Sequence, residues 1–373
     1  MRPRHSSDDF SESQFFEQGQ LVPRRRPLLS IIILGLAATS LLSWKLYASN
    51  SFSFDFDISP SKPEVLEEWI PSLNGVFEVF PAENPSELIA RGISGQVFKI
   101  DLRTGHVSRD RKTQRTNAVQ ILCEYKHNLV AVGNSETEEF QVTFDLAKNM
   151  TRVAVPIQME VSAAEIIDDG KKIVVALMDF VSRKNGQEEN YLLVTLDLVS
   201  GQVLETITTP DIVFSICYDQ ATGELFASQY PGILRWIPGK SKPKSIPVKE
   251  VRKLQLLPGK RMLIAGDFHG KITAYSLDTF QKIWVTKADR KLTVKTLAVD
   301  PDENCIAIGG DSPLLLLLHT ETGRTLFCTP PGKAGINGLS FSDSGELLFV
   351  SRANAHIETW QMEGYHLLTD FGI

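Results

Sequence analysis

The sequence predicts an all-β fold built from one repeated unit, and three observations support this. Short runs in which apolar and polar residues alternate, typical of half-buried strands, fill the chain after residue 70. Turns that contain Gly, Asn, Pro or Asp separate these runs. The runs recur in groups of four at intervals of 38 to 51 residues, which is the spacing of stacked supersecondary units.

The third run of each group aligns most clearly and ends on a large residue. In chain order, these third runs are residues 97–101, 141–145, 193–197, 233–237, 272–276, 315–319 and 357–361. A tight turn follows each of them, and Gly or Asn recurs in these turns, where a hairpin needs a positive φ. The sequence therefore contains seven units.

A single four-stranded unit of this size cannot bury both faces of its own sheet. The inner runs are nonetheless apolar on both faces, as expected if each sheet packs between two neighbours. We therefore predict a seven-bladed β-propeller of four-stranded antiparallel blades over residues 71–373. A linear β-solenoid is the less favoured alternative.

Two stretches carry a resemblance to known repeat families. Residues 338–350 followed by 357–360 resemble a WD40 repeat, and residues 262–266, 270–278 and 282–284 are similar to the repeat of quinoprotein-type (PQQ/YVTN-type) propellers. The resemblance implies the propeller fold. It implies no particular function, because one fold carries many functions. The Trp-Asp dipeptide and the Gly-His pair of WD40 blades are absent from this sequence.

The amino-terminal part differs in composition from the repeats. Residues 1–27 are polar and basic and predict a disordered cytoplasmic tail, and residues 28–48 are apolar enough to predict one transmembrane helix. The arginines at 24–26 precede this helix, so the positive-inside rule places the propeller outside the cytoplasmic membrane, in the periplasm or the extracellular space. A cleaved signal peptide is the alternative. Residues 49–70 predict a linker with a short helix over Lys62–Trp69.

The sequence shows no motif for catalysis or for cofactor binding. It lacks the Gly-x-Ser-x-Gly motif, a phosphate loop and a dinucleotide fingerprint, and its histidines lack the spacing of a zinc site. We therefore expect no cofactor and no metal. The net charge of −6 gives no reason to expect nucleic-acid binding. Cys123, Cys217, Cys305 and Cys328 lie in apolar runs and predict buried free thiols.

The candidate binding residues form a basic rim. Cations recur in loops that we assign to the connections between blades, and these loops share one face of a propeller with the loops between second and third strands. The rim residues are Arg109, Arg111, Lys112, Arg115, Lys240, Lys242, Lys244, Lys249, Arg290 and Lys291, with Arg183 and Lys184 of a long insertion and the loop histidines His269 and His356.

These features together favour a non-enzymatic scaffold that is anchored in the membrane and binds a protein partner through its rim, whose basic charge favours an acidic partner. Two alternatives remain open at this point. One is a quinoprotein-like or hydrolytic propeller enzyme whose site lies at the channel mouth, and the other is a periplasmic assembly factor.

Overall fold

The computed structural model describes residues 76–92, 95–109, 119–125, 128–134, 140–145, 152–155, 159–178, 190–230, 232–288, 292–329 and 334–372. The predicted tail, transmembrane helix and linker, residues 1–70, lie outside these ranges. Within the ranges, no helix is both long and apolar enough to span a membrane.

The described residues form strands grouped into seven four-stranded sheets. Sheet 1 holds β1 (Val76–Pro81), β2 (Glu87–Gly92), β3 (Val97–Asp101) and β4 (Val107–Arg109). Sheet 2 holds β5 (Val119–Tyr125), β6 (Asn128–Asn134), β7 (Phe140–Asp145) and β8 (Arg152–Val155). Sheet 3 holds β9 (Glu160–Ile167), β10 (Lys172–Met178), β11 (Tyr191–Asp197) and β12 (Val203–Thr209).

The remaining four sheets follow the same plan. Sheet 4 holds β13 (Val213–Asp219), β14 (Glu224–Gln229), β15 (Gly232–Trp236) and β16 (Lys244–Ile246). Sheet 5 holds β17 (Val251–Leu257), β18 (Met262–Asp267), β19 (Lys271–Ser276) and β20 (Lys282–Lys287). Sheet 6 holds β21 (Val294–Val299), β22 (Cys305–Gly310), β23 (Leu316–His319) and β24 (Thr325–Cys328). Sheet 7 holds β25 (Ile336–Phe341), β26 (Leu347–Arg352), β27 (His356–Gln361) and β28 (His366–Gly372).

In every sheet the strands lie in chain order, and neighbouring strands are antiparallel, as in the pairs β1–β2, β2–β3 and β3–β4. The predicted all-β repeat of four-stranded antiparallel sheets is confirmed. The predicted hairpin geometry is also present, because Gly105, Gly201, Gly239 and Gly323 follow third strands with φ between 66° and 74°. Phe280 occupies the same position in sheet 5 with φ 56°, so a residue other than Gly adopts it there.

The first strands of neighbouring sheets pack on one another, so they lie innermost. These contacts join β5 to β9, β9 to β13, β13 to β17, β17 to β21 and β21 to β25, and β1 contacts β25, so the first and last sheets also meet. The arrangement is propeller-like. We call the space that the first strands enclose the channel. The upper face is the end with the connections between sheets and between second and third strands, and the lower face is the opposite end.

Apolar side chains between adjacent sheets form the core. Between sheets 4 and 5, for example, Phe226 and Ile233 pack with Val251, Leu254 and Leu263. The same arrangement joins sheets 7 and 1, where Phe349 and Ile357 pack with Leu88 and Ile100. Such clusters join sheets 2 to 7 in order and sheet 7 to sheet 1, and burial between neighbouring sheets explains why both faces of the inner strands are apolar.

All seven first strands carry a β-bulge at the same position. The residue before the bulge is Val or Ile in every sheet, namely Val76, Val119, Val161, Val213, Val251, Val294 and Ile336. The bulged residue itself lies outside the ladder and follows at the upper end of the channel: Phe77, Gln120, Ser162, Phe214, Arg252, Lys295 and Asn337. A bulge re-aims side chains at a sheet rim, and here the repeat places seven bulges at one end of the channel.

Close approach of sheet 6 to the preceding connection requires Gly at residue 310. A Cβ added to Gly310 would lie 1.8 Å from the carbonyl oxygen of Thr293, which belongs to the backbone and cannot rotate away. We expect Gly310→Ala to lower the free energy of unfolding of the full chain by about 2 kcal/mol or more, measured by denaturant titration.

Gly259→Ala is the matched control for this prediction. Its added Cβ would meet only the Glu303 carboxylate, the end of a flexible side chain, at 3.1 Å. Gly259→Ala should therefore lower the free energy of unfolding by no more than about 0.5–1 kcal/mol. Equal losses in the two variants would show that the backbone near Thr293 moves aside at little cost.

The cysteines follow the prediction in three of four cases. All four are free, and Cys123, Cys217 and Cys305 are buried, but Cys328 is exposed. The prediction was wrong for Cys328 because it ends β24, the fourth strand of sheet 6, whose two end residues are exposed and whose two middle residues are only half-buried. In a propeller-like arrangement the fourth strand is outermost, so apolar residues there do not imply burial.

Candidate functional site

The residues of the predicted basic rim are distributed over both faces. Lys249 is exposed in the connection between β16 and β17, on the upper face, and Arg109 ends β4 at the same face. His269 and His356 also lie at the upper face, in the β18–β19 connection and at the start of β27. Seven of the predicted residues lie outside the described ranges: Arg111, Lys112, Arg115, Arg183, Lys184, Arg290 and Lys291.

Three of the predicted rim lysines lie at the opposite end. Lys240 and Lys242 belong to the turn between β15 and β16, and Lys244 begins β16, so all three are on the lower face. The backbone N–H of Gly239 in this turn donates to Glu205 Oε2 at 3.0 Å, which holds the turn against sheet 3. The prediction that these three lysines lie on the upper face was wrong. The turn between β15 and β16 is long and β16 is short, so the sequence pattern placed the lysines in the following connection, between sheets 4 and 5.

Both rim histidines have carboxylate partners. His269 Nε2 lies 3.1 Å from Glu250 Oε2, and His356 Nδ1 lies 2.7 Å from Asp370 Oδ1. These contacts tie each imidazole to its own part of the face, so the two histidines do not share a site.

The upper end of the channel holds a cluster that the sequence reading missed. Arg252 is the bulged residue of β17, and its Cζ lies 5.8 Å from the ring centroid of Phe214 and 5.2 Å from that of Phe268. The two rings meet edge to face at a centroid distance of 5.3 Å. We call Arg252, Phe214 and Phe268 the arginine clamp. Phe214 is the bulged residue of β13, so the repeat itself brings the clamp together.

The guanidinium of Arg252 has no hydrogen-bond or ion-pair partner among the residues that the structure describes, whereas the backbone carbonyl oxygen of Arg252 accepts a hydrogen bond from Ser228 Oγ at 3.2 Å. Burial lowers the pKa of this half-buried guanidinium, and the charge of Asp311 opposes that effect. The group stays charged at neutral pH because an arginine pKa starts above 12. The rings of Phe214 and Phe268 hold the guanidinium by cation–π contact, and its N–H groups have no acceptor in the described ranges, so it is oriented to receive a carboxylate or phosphate through two parallel hydrogen bonds.

The neighbouring bulge in sheet 6 provides a second cation that already has a partner. Lys295 Nζ pairs with Asp311 Oδ1, and both residues are partly exposed on the upper face. Arg252 therefore differs from Lys295 in lacking a carboxylate of its own within the described ranges. It is the side chain that we expect an incoming anion to contact.

Two further titratable side chains lie on the first strands of sheets that are not adjacent. Glu165 lies on β9 and Lys253 on β17, and both are half-buried. Burial raises the pKa of Glu165 to about 8, although the charge of Lys253 acts to lower it. At neutral pH the Glu165 carboxyl is therefore mostly protonated.

Two buried thiols lie on the first strands of the sheets on either side of sheet 3, Cys123 on β5 and Cys217 on β13. Burial raises the pKa of Cys123 and of Cys217 well above the ordinary value, the charge of Glu165 raises both further, and that of Lys253 lowers both. Both thiols are thus protonated and unreactive at neutral pH. The parts of the chain that the structure describes contain no cluster of three His, Cys, Asp or Glu side chains able to hold a metal ion.

One sequence signal could have indicated these residues. Arg252, Lys253 and Glu165 are charged residues inside otherwise apolar first strands, in the stretches VRKLQLL and EVSAAEII. A charge at such a position is expected to face either a partner or the channel.

Comparison with known proteins supports the fold alone. No family model matches the sequence, and no curated protein matches it. Among solved structures, the chain is similar to the crystal structure of the computationally designed Ika8 protein, with a TM-score of 0.59 and 15% sequence identity. The match covers 80% of this chain and 87% of that chain.

Proposed function

We propose that this chain is a membrane-anchored, seven-bladed propeller that acts as a non-enzymatic interaction module outside the cytoplasmic membrane. Its upper face docks an acidic segment of a protein partner. The arginine clamp carries this proposal, since it presents at the centre of that face a charged, oriented guanidinium that has no partner within the described part of the chain. The membrane anchor and the location rest on the hydropathy of residues 28–48 and on the arginines that precede them.

The composition of the clamp supports a protein ligand. Arginine and aromatic residues are enriched among the side chains that dominate binding energy at protein interfaces, and such residues cluster near the centre of an interface. Phe214 and Phe268 are only half-buried, and Tyr230 of the β14–β15 connection is 44% exposed, so the upper face offers aromatic surface beside the cation.

The charges around the clamp favour an acidic segment. Lys249 is exposed on this face and adds to the positive field of Arg252, whereas Asp311 and Glu250 are occupied by Lys295 and His269. A partner carboxylate would therefore meet cations whose local counter-charges are already in use. An anchor that confines the module to a membrane surface would raise its effective concentration towards partners in the same membrane.

Arg252→Ala should reduce capture of the partner at least tenfold, which corresponds to about 1.4 kcal/mol or more. The loss has a physical cause, because alanine removes both the bidentate donor and the charge at the centre of the face. The measurement is crosslinking of the full chain in its native membranes, followed by affinity capture and quantitative mass spectrometry. Capture by the unmodified chain should also fall as salt rises.

Two further variants make this test specific. Arg324→Ala removes an equally charged, exposed arginine from the lower face and should leave capture unchanged. Arg252→Lys keeps the charge without the planar donor pair and should retain only part of the capture. Equal capture by the Arg252→Ala variant and the unmodified chain would refute docking at the clamp.

A further inference from the structure

A patch of exposed aliphatic side chains lies on the lower face, where β11 turns into β12. Val199 of this turn is 77% exposed, and Val203 and Leu204 at the start of β12 are each 49% exposed. Leu204 lies outside the ladder that pairs β12 with β11, so a β-bulge separates Val203 from Glu205. The bulge leaves two consecutive aliphatic side chains exposed, although consecutive residues of a regular strand point to opposite faces of the sheet.

Three lysines lie beside this patch in the neighbouring sheet. Lys240 and Lys242 of the β15–β16 turn and Lys244 of β16 are exposed, and their ammonium groups have no ion-pair partner in the part of the chain that the structure describes. The hydrogen bond from the backbone N–H of Gly239 to Glu205 Oε2, at 3.0 Å, joins this turn to β12. We use the name lower corner for Val199, Val203, Leu204, Lys240, Lys242 and Lys244.

The carboxylates on either side of the aliphatic patch are engaged by N–H groups. Asp197 Oδ1 accepts from the backbone N–H groups of Val199 and Ser200, at 3.0 and 2.7 Å, and Glu205 accepts from Gly239. Both carboxylates are half-buried, whereas the three lysines are exposed. The most exposed charges of the lower corner are therefore positive.

Exposed aliphatic side chains next to exposed lysines match the surface of an anionic bilayer. Valine and leucine side chains can enter the boundary between headgroups and acyl chains, while the long lysine stems carry their charge to the lipid phosphates. A protein partner is the less suitable occupant. The six residues of the lower corner include neither an aromatic residue nor an arginine, the types that dominate binding between proteins, and lysine is depleted at such interfaces.

We propose that the lower corner is a binding surface for anionic phospholipid bilayers, with its three aliphatic side chains among the headgroups and its three lysines at the lipid phosphates. The proposal is independent of the docking function, because the arginine clamp lies at the opposite face and stays accessible. Acidic turns of the lower face, such as the one that holds Asp302, connect first to second strands and lie nearer to the channel. An anionic surface repels these turns, so the contact is confined to the corner.

Fluorescence quenching of the full chain in lipid vesicles tests this contact. An environment-sensitive dye is attached at Ser200→Cys, at the exposed tip of the β11–β12 turn, in a Cys328→Ser background that removes the exposed native thiol. The vesicles contain a spin-labelled lipid as quencher and consist of phosphatidylcholine alone or of equal parts phosphatidylcholine and phosphatidylglycerol. We expect quenching to be at least threefold stronger with phosphatidylglycerol and to decrease as salt rises.

Dyes at two other positions are the controls for this measurement. Asn354→Cys places the dye in the β26–β27 connection of the upper face, and Asp302→Cys places it in the acidic β21–β22 turn of the lower face. Phosphatidylglycerol should increase quenching at neither position. Because the readout is contact at one residue, it does not depend on how the rest of the chain associates with the vesicle.

Variants of the lower corner separate charge from apolar contact. Replacing its three lysines together by glutamate should return quenching at the Ser200→Cys dye to the level in phosphatidylcholine. Val203→Ser combined with Leu204→Ser should reduce quenching at least twofold at unchanged charge. Lys249→Glu, which reverses an exposed lysine of the upper face, should leave quenching unchanged and lower capture of the protein partner, whereas the lower-corner variants should leave that capture unchanged.

Three results would overturn the proposal. The first is equal quenching at the Ser200→Cys dye in the two kinds of vesicle, and the second is full quenching in the variant with three glutamates. The third is equal quenching at the Ser200→Cys and Asn354→Cys dyes, because lipid contact that does not distinguish the faces would come from confinement to the vesicle alone. Absence of quenching at the Ser200→Cys dye would count as the first result and would leave a protein as the occupant of the lower corner.

Discussion

Glu358→Ala should lower the free energy of unfolding of the full chain by about 3–5 kcal/mol. Glu358 lies on β27 and is buried beside Arg352, whose Nε contacts its Oε1 and whose Nη2 donates to its Oε2 at 2.9 Å. Trp360 Nε1 donates to the same Oε2 at 2.9 Å. Removing the carboxylate leaves a guanidinium and an indole N–H in the interior without their acceptor.

The loss should be large because Arg352 also connects sheet 7 to sheet 6. Its Nη1 donates to the carbonyl oxygens of Pro313 and Ala334, each at 3.0 Å. Once Glu358 is gone, the guanidinium must either stay buried with an uncompensated charge or turn out to solvent and abandon both carbonyls. Each course leaves polar groups unsatisfied.

Denaturant titration followed by tryptophan fluorescence measures this prediction. Glu346→Ala is the matched control, since it removes an exposed glutamate from the same sheet and should change stability by less than about 0.5 kcal/mol. Glu358→Gln should fall between the two, because the amide oxygen still accepts a hydrogen bond but carries no charge. A loss below about 1 kcal/mol in Glu358→Ala would contradict the role assigned to this pair.

Sequence periodicity was sufficient to locate the strands. The run predicted at 97–101 coincides with β3, and the run at 357–361 lies within β27, His356–Gln361. Alternation of period two reports which side chains face a neighbouring sheet, and that pattern is local along the chain. The hairpin turns were predictable for the same reason, since a positive φ favours Gly within a few residues of the strand end.

The candidate site could not be predicted in the same way because it depends on contacts between sheets. Arg252 meets Phe214 from sheet 4 and Phe268 from the upper loop of sheet 5, and no spacing in the sequence reveals that encounter. The seven bulges were also invisible, because a bulge changes the partner of a residue and not its hydropathy. Lys240 and Lys242 show the opposite case. Their presence in a basic loop was evident from the sequence, but the face on which that loop lies was predicted wrongly.

Phe226→Ala should be as damaging as the loss of Glu358, with a decrease of about 3–5 kcal/mol in the free energy of unfolding. Phe226 lies on β14 with 0% of its surface exposed, and it packs among side chains of sheets 4 and 5. Its ring lies 5.8 Å from that of Phe280, and the guanidinium of Arg235 lies over both rings. Alanine would leave a cavity between two sheets that other side chains cannot fill without moving a strand.

Phe327→Ala tests whether burial between sheets, and not the loss of a phenylalanine as such, causes the effect. Phe327 is only half-buried on the outer strand β24, where it stacks on Tyr365 at a centroid distance of 5.0 Å. Solvent can fill the space it leaves, so its removal should cost only about 1–1.5 kcal/mol. Comparable losses for the two variants would mean that the interface between sheets 4 and 5 relaxes around the missing ring, and that the sheets are less rigidly stacked than their buried faces indicate.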